Sequence, residues 1–283
     1  MSRIAYVNGQ YVEHRRAAVH IDDRGYQFAD GVYEVVAIAA GRLVDEDLHW
    51  RRLKRSLSEL RIAEPMSRAA LGHVISQVIR RNGVADGIVY LQITRGVAPR
   101  DHVFPKRARP AVVVTVKRLK PTDPKLVARG VDVISLPDIR WGRCDIKSIS
   151  LLPNILAKQT AKERGAYEAW LVDARGDVTE GSSTNAWIVN AKGALVTREA
   201  GPEILNGVTR LAVLDLARAE RMKIEERSFS LKEALKAKEA FITSTTNFVM
   251  PVVHIDGKAV GDGKPGAFAL KLRGHYLSHM AKV

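Results

Sequence analysis

The chain has 283 residues, 46% of them hydrophobic and 27% charged, which fits a globular protein of one large or two medium-sized domains. Its single cysteine, Cys144, excludes an intramolecular disulfide and a cysteine-based zinc site. Because no apolar run is long enough for a signal peptide or a membrane span, we expect a cytoplasmic protein with no membrane partner.

The formal net charge of +14 raises the alternative of a nucleic-acid-binding protein. Residues 95–130 hold ten Arg or Lys against two Asp, but the chain has no zinc-finger spacing and no basic run interleaved with aromatic residues. We therefore expect no nucleic-acid partner. The basic stretch is interpreted as solvated surface, and a local field that attracts anionic substrates is the alternative interpretation.

The first part of the chain shows strand and helix patterns with clear turn residues between them. Asn8-Gly9 predicts a hairpin turn, and a helix that begins after Ser67 is expected to end at Asn82-Gly83. The predicted strands cover about residues 3–7, 10–13, 32–39, 88–94 and 111–117. An earlier helix is predicted over residues 46–62, with Pro65 as its stop.

The polar, proline-containing segment 117–124 is the predicted domain boundary, which gives domains of residues 1–120 and 121–283. The second half mixes both element types, and Ser230 with Glu233 predicts a capping box. Its predicted strands cover about residues 131–136, 167–172, 184–189 and 239–243. Its predicted helices cover about residues 151–164, 208–221 and 265–281. The whole is predicted to be a mixed α and β fold.

Residues 140–148 (RWGRCDIKS) place Lys147 close in sequence to Arg140 and Arg143. Burial beside other cations lowers the pKa of a lysine and frees its amine for covalent chemistry with a carbonyl group. An ordinary surface lysine is the alternative at this point, and the later runs decide between the two.

Three later runs of small polar residues suit a phosphorylated cofactor. Residues 178–185 (VTEGSSTN) set the carboxylate of Glu180 in a predicted loop of glycine and hydroxyl residues. Residues 204–210 (ILNGVTR) lead into a predicted helix, whose free N–H groups can bind a phosphate. Residues 241–247 (FITSTTN) end a strand in hydroxyl groups. Each run alone also fits an ordinary turn or helix start.

The order and spacing of these runs, together with residues 23–34 (DRGYQFADGVYE), resemble one family almost from end to end. They resemble the D-amino-acid aminotransferases among the class IV, or fold type IV, pyridoxal-phosphate enzymes. The resemblance implies an α/β N-terminal domain, a C-terminal pseudo-barrel domain, pyridoxal 5'-phosphate between the two, and a homodimer. The family usually has glycine where this chain has Ala29.

The resemblance also implies a role for individual residues. Lys147 matches the lysine that holds the cofactor as a Schiff base, and Glu180 matches the partner of the pyridine nitrogen, which strengthens the ring as an electron sink. Arg52, in preference to its neighbour Arg51, matches the phosphate-binding arginine. The remaining matches are Leu205, which packs on the cofactor ring, and the phosphate ligands Val208, Thr209 and Thr245.

Residues 94–105 (TRGVAPRDHVFP) carry the argument for the substrate. Arg100 and His102, with Tyr33, match the α-carboxylate site of the D-amino-acid enzymes, and arginine can hold a carboxylate with two parallel hydrogen bonds. The match implies a D-amino acid such as D-alanine or D-glutamate as donor, and 2-oxoglutarate or pyruvate as acceptor. It also suggests that the loop around 96–105 reaches the site of a neighbouring subunit.

Two other activities on the same fold stay open, a branched-chain L-amino-acid aminotransferase and an aminodeoxychorismate lyase-like enzyme. Residues 151–154 (LLPN) also resemble the branched-chain relatives. The histidines show no metal-ligand spacing, so we expect no metal. The side chains of Trp141, Trp170 and Trp187 are interpreted as core, and Cys144 as a packing neighbour of the lysine segment.

Overall fold

The computed structural model describes residues 3–282, which divide into two compact units. The first unit contains the described residues up to Lys120 together with Ile146–Ser150, and the second contains Pro121–Asp145 and Leu151–Lys282. The short lysine segment therefore belongs to the first unit, although the second unit flanks it on both sides in sequence. The predicted division into domains at residue 120 stays a prediction. It assigned residues 146–150 to the second domain, whereas they belong to the first unit.

The first unit is built on one antiparallel sheet. Its strands are β1 (Ile4–Val7), β2 (Gln10–Glu13), β3 (Gly31–Ala39), β4 (Arg42–Leu43), β5 (Gly87–Thr94) and β6 (Ala111–Arg118). Its helices are α1 (Arg24–Phe28), α2 (Glu46–Glu59) and α3 (Arg68–Asn82). The strand order is β2-β1-β6-β5-β3-β4.

The local patterns explain the ends of these elements. Asn8 and Gly9 both have positive φ, as a two-residue hairpin turn requires, so the predicted hairpin is confirmed. The Ser67 side chain caps α3, and left-handed Gly83 ends it, as predicted. Helix α2 ends at Glu59, before the predicted residue 62.

Helices α2 and α3 cover one face of the sheet of the first unit. Their apolar stripes pack with alternate residues of β3, β5 and β6 in one buried cluster, which includes Val32, Leu53, Val78 and Leu91. Tyr33, Val35 and Ala39, which alternate with these core residues in β3, are only half-buried. The sheet thus presents one side chain of the predicted substrate site away from its core.

The second unit combines parallel and antiparallel strands. Its strands are β7 (Val131–Pro137), β8 (Glu168–Val172), β9 (Val178–Gly181), β10 (Asn185–Val189), β11 (Leu195–Thr197), β12 (Ile224–Glu226), β13 (Glu239–Ser244), β14 (Phe248–Ile255) and β15 (Lys258–Ala259). Its helices are α4 (Pro124–Arg129), α5 (Leu152–Glu163), α6 (Val208–Ala219), α7 (Leu231–Ala234) and α8 (Ala267–Ala281). The strands form one sheet in the order β12-β11-β10-β13-β14-β7-β8-β9, with β15 on β14.

The mixed α and β fold is confirmed, with differences in detail. Helices α1 and α4 and strands β4, β9, β11 and β12 were not predicted. Strand β9 makes the Glu180 segment an element of the sheet instead of a loop. Trp170 and Trp187 are fully buried, as expected, but Trp141 is 43% exposed, so its interpretation as core was wrong. Within residues 3–282, none of the helices has the length and hydrophobicity that a membrane span requires.

Candidate active site

Main-chain hydrogen bonds to the start of β3 fix the position of Lys147. The Tyr33 N–H donates to the Lys147 carbonyl at 3.0 Å, and the Ile149 N–H donates to the Gly31 carbonyl at 3.1 Å. The Lys147 N–H donates to the Ser56 hydroxyl at 3.2 Å. The Lys147 Nζ lies 4.1 Å from the centroid of the Tyr33 ring. The structure therefore brings together two of the predicted site residues, Lys147 and Tyr33, in the first unit.

The two arginines that precede Lys147 in sequence are engaged with acids of the second unit. Arg140 pairs with Asp138 and Glu180, and Arg143 pairs with Asp145. These ion pairs lie within the second unit, whereas Lys147 belongs to the first unit. An effect of the two arginines on the lysine stays a prediction.

Glu180 is buried in β9 and is held by three groups. Arg140 Nη1 donates to its Oε1, the Asn185 amide donates to its Oε2 at 3.0 Å, and the Leu205 N–H donates to both oxygens at 3.1–3.2 Å. Burial raises the pKa of Glu180, while the Arg140 charge and these hydrogen bonds oppose that rise. Asp138 also bonds Arg140, which lowers the pKa of Asp138 against the opposite effect of its burial.

The start of α6 offers uncapped N–H groups at the predicted phosphate ligands. Gly207 precedes the helix, and no side chain caps it there. Val208 and Thr209, both buried, form the first turn, where N–H groups and the helix dipole favour an anion. A Cβ at Gly207 would lie 2.1 Å from the Asn185 Oδ1, so only glycine fits here. Thr245, the further predicted ligand, lies half-buried in the turn after β13.

Arg52 is held by a buried carboxylate of its own unit. Its Nε and Nη2 donate to the two oxygens of Glu34 at 2.8 and 2.7 Å, and the His49 Nδ1 lies 2.7 Å from Glu34 Oε2. Burial acts to raise the pKa of Glu34, but Arg52 and His49 outweigh it and lower that pKa to about 2. Burial lowers the pKa of His49. Arg51 is exposed, which is consistent with its rank as the weaker candidate.

Arg100 and His102 both contact the Phe28 ring, whereas Lys147 contacts the Tyr33 ring. The Arg100 Cζ is 4.7 Å from the Phe28 centroid, and the rings of His102 and Phe28 are 5.4 Å apart. Both side chains are on exposed residues. Within the described residues, no hydrogen bond or ring contact joins either one to Tyr33. That Arg100 and His102 form a carboxylate site with Tyr33 stays a prediction.

The donor set fits pyridoxal phosphate. An amine at Lys147 can bond the aldehyde, a buried carboxylate at Glu180 can face a protonated ring nitrogen, and the uncapped start of α6 can hold a phosphate. Burial raises the pKa of Cys144 to about 11, which disfavours the reactive thiolate form. Among residues 3–282, no group of three or more His, Cys, Asp or Glu side chains could hold a metal ion.

Several residues of the site could not be identified from the sequence. Asn185 bonds both Glu180 and the Leu205 carbonyl, at 3.0 and 2.8 Å, and it ends the VTEGSSTN run. Glu34 directly follows Tyr33 in a strand that was expected to be buried. A carboxylate in a buried strand needs a partner that compensates its charge. The position of Glu34 in such a strand was therefore the one indication in the sequence of an ion pair with an arginine.

Comparison with known proteins supports the same assignment. The model of the family described as amino-transferase class IV matches residues 31–255. A D-alanine aminotransferase of Bacillus licheniformis is 41% identical over 98% of both chains. One of Listeria monocytogenes serotype 1/2a (strain 10403S) is 39% identical over 98% of this chain and 96% of its own. A T.th. branched-chain amino acid aminotransferase, crystallised with pyridoxamine 5'-phosphate, superposes with a TM-score of 0.90 at 25% identity, covering 100% of this chain and 95% of its own.

Proposed function

This chain belongs to the class IV aminotransferase family of pyridoxal-phosphate enzymes, and we propose that it transfers amino groups between D-amino acids and 2-oxo acids. The donors are of the D-alanine or D-glutamate type, and the acceptors are 2-oxoglutarate or pyruvate. The observation that carries this proposal is the near full-length identity of about 40% to D-alanine aminotransferases. The Arg100 and His102 pair agrees with it.

Lys147 is the catalytic residue of the proposal. When bound, pyridoxal phosphate supplies an aldehyde for covalent attachment and a ring that accepts the electron pair of the broken Cα–H bond. The Nζ of Lys147 would take the proton from the substrate Cα as a base and then release it as an acid. The Tyr33 ring, 4.1 Å from this Nζ, limits the directions that the amine can take.

The other proposed residues hold and tune the cofactor. Glu180 keeps the ring nitrogen protonated, and its contact with Arg140 supports an ionised carboxylate at neutral pH. Leu205 packs on the ring. The phosphate is held by Arg52, by Val208 and Thr209 at the start of α6, and by the hydroxyl of Thr245 in the turn after β13. That the cofactor lies between the two domains remains part of this proposal.

A homodimer in the cytoplasm completes the proposal. Among residues 3–282, no hydrogen bond or ring contact joins Arg100 or His102 to Tyr33, and in this proposal the loop that carries the pair reaches the carboxylate site of the partner subunit. Large exposed apolar side chains near this pair support a subunit contact: Ile21 is 74%, Tyr26 76% and Val103 72% exposed.

The experiment that tests the proposed function is a comparison of amino donors. Purified protein is supplied with 2-oxoglutarate and with either D-alanine or L-leucine, and the 2-oxo acid product is quantified. We expect a much larger kcat/KM for D-alanine. Preference for L-leucine would favour the branched-chain activity, which the fold of the structural neighbours also accommodates. Catalytic pyruvate release from aminodeoxychorismate, with no amino acceptor present, would instead indicate the lyase.

The role of Lys147 has a separate test. Borohydride reduction of the cofactor-loaded protein, digestion and mass spectrometry should find the label on the peptide that contains Lys147. A label on another lysine would contradict the assignment. Lys147→Ala is the matched control, and it should yield no labelled peptide.

A further inference from the structure

The segment 96–105, termed here the carboxylate loop, has its main chain anchored to α1. The Arg24 N–H donates to the Gly96 carbonyl at 2.9 Å, and the Arg24 guanidinium donates to the Asp101 carbonyl at 2.5 Å. The Ala98 N–H donates to the Asp22 carbonyl at 3.3 Å. The main chain of the loop is thus fixed at three points by residues that precede β3.

A buried cluster of charges fixes the arginine that makes this anchor. Asp30 accepts from the Nε of Arg24 at 2.8 Å and from two nitrogens of Arg95 at 2.7 and 2.9 Å. Arg95 also donates to the carbonyls of Leu60 and Arg61. Both arginines are at most 6% exposed, so solvent screens these contacts little. The Arg24 guanidinium therefore has little freedom to move.

These main-chain contacts do not fix the side chains of Arg100 and His102. A free arginine side chain carries about 2 kcal/mol of rotamer entropy, which a substrate would have to remove on binding. The Phe28 ring contacts both residues, with Arg100 Cζ at 4.7 Å and the His102 ring at 5.4 Å. Arg24 Cζ lies 4.8 Å from the same ring, which ties Phe28 to the anchored arginine.

We infer that Phe28 is a positioning residue for the substrate carboxylate, because its ring orients Arg100 and His102 before substrate binds. A guanidinium is attracted to the face of an aromatic ring, and an ordered side chain loses less entropy when it takes up its ligand. This inference rests on the proposed function, which gives Arg100 and His102 their carboxylate role. Phe28 itself touches neither the cofactor nor the reacting atoms in this assignment.

Phe104 provides a matched control within the same loop. Its ring also lies beside two guanidinium groups, with Arg95 Cζ at 3.6 Å and Arg61 Cζ at 4.9 Å. No ring contact joins Phe104 to Arg100 or His102 within residues 3–282. Its replacement therefore removes a loop ring of the same kind without removing the contacts on which the inference depends.

The test compares Phe28→Leu, Phe28→Tyr and Phe104→Leu as cofactor-loaded enzymes. Phe28→Leu should raise the KM for D-alanine by about three- to twenty-fold, from the loss of two ring contacts, with kcat changed less than about two-fold. Phe28→Tyr, which keeps the ring face, should restore the wild-type KM. Phe104→Leu should leave the KM within about two-fold of wild type.

Hydrogen–deuterium exchange of the carboxylate loop separates orientation from unfolding of the loop. Because the anchor by Arg24 remains, main-chain exchange over residues 96–105 should be the same in Phe28→Leu and wild type. Faster exchange there, or an unchanged KM, would overturn the inference. If wild type uses L-leucine in place of D-alanine, the proposed function fails. The KM comparison is then made with L-leucine, and an unchanged KM there overturns this inference as well.

Discussion

Removal of Arg140 tests how the charge of Glu180 is maintained. The Arg140, Glu180 and Asp138 side chains are 5%, 8% and 12% exposed, so their contacts are buried ion pairs. Loss of one partner of such a pair typically costs about 3–5 kcal/mol, because a buried charge is left without compensation. For a chain of this size the loss corresponds to a fall in Tm of roughly 6–20 °C. We expect that fall for cofactor-free Arg140→Leu at pH 8.

The pH dependence of stability reports on the two acids that Arg140 compensates, Glu180 and Asp138. Burial already raises the pKa of Glu180, and Arg140 opposes that rise, so the variant should raise this pKa further. A carboxyl with a raised folded-state pKa favours folding at low pH, and this contribution is lost as pH rises through that pKa. The unfolding free energy that Arg140→Leu loses relative to wild type, its stability deficit, should therefore be smaller at pH 5 than at pH 8. The difference should be at most about 1.4 kcal/mol per pH unit for one proton.

Thermal and urea unfolding, followed by circular dichroism at the two pH values, measure this deficit. Arg218→Leu is the control, because Arg218 is 55% exposed and its pairs with Asp215 and Glu226 should be worth about 0–1 kcal/mol. A deficit no larger than that of the control, or one that is equal at pH 5 and pH 8, would refute the assignment of Arg140 as the charge partner of Glu180.

Four further predictions concern Ala29, Glu34 and Glu180. Ala29 has a φ of +56° at the end of α1, so Ala29→Gly should raise the unfolding free energy by up to about 1 kcal/mol; an unchanged or lower value in urea titrations would contradict this. Since the pKa of Glu34 is lowered to about 2, wild type should lose stability between pH 4.5 and pH 2 that Glu34→Gln does not lose, and parallel pH profiles would argue against it. The same variant releases Arg52 from its bidentate partner and should weaken cofactor binding, measured by titration of the cofactor-free protein. Glu180→Gln should bind cofactor but slow the half-reaction with D-alanine in stopped-flow spectra, and a wild-type rate would show that the carboxylate is dispensable.

The sequence was most informative where local chemistry determines structure. The hairpin at Asn8-Gly9 and the caps at Ser67 and Gly83 depend on residues adjacent in sequence, and each was predicted. The boundaries of α2 were less well predicted, since the helix ends at Glu59 although its leucine spacing continues. Local sequence patterns therefore predicted the presence of helices and strands better than the residues at which they end.

The site was predictable residue by residue only through the family resemblance. The partners of those residues depend on contacts between distant segments: Arg140 bonds Glu180, 40 positions away, and Arg52 bonds Glu34, 18 positions away. Proximity in sequence linked Arg140 only to Lys147 and did not indicate its ion pair with Glu180. Phe28 had no local pattern that would connect it to Arg100.

The most direct test of the central claim is the exchange of the α-hydrogen of the two enantiomers of alanine. The two substrates have the same side chain, so their comparison isolates stereochemistry from side-chain preference. The cofactor-loaded enzyme is incubated in D₂O with D-alanine or L-alanine and no acceptor, and proton NMR follows the α-hydrogen. Since the proposed mechanism lets Lys147 exchange a proton on one face only, D-alanine should lose its α-proton signal and L-alanine should keep it. Faster exchange of L-alanine would contradict the account.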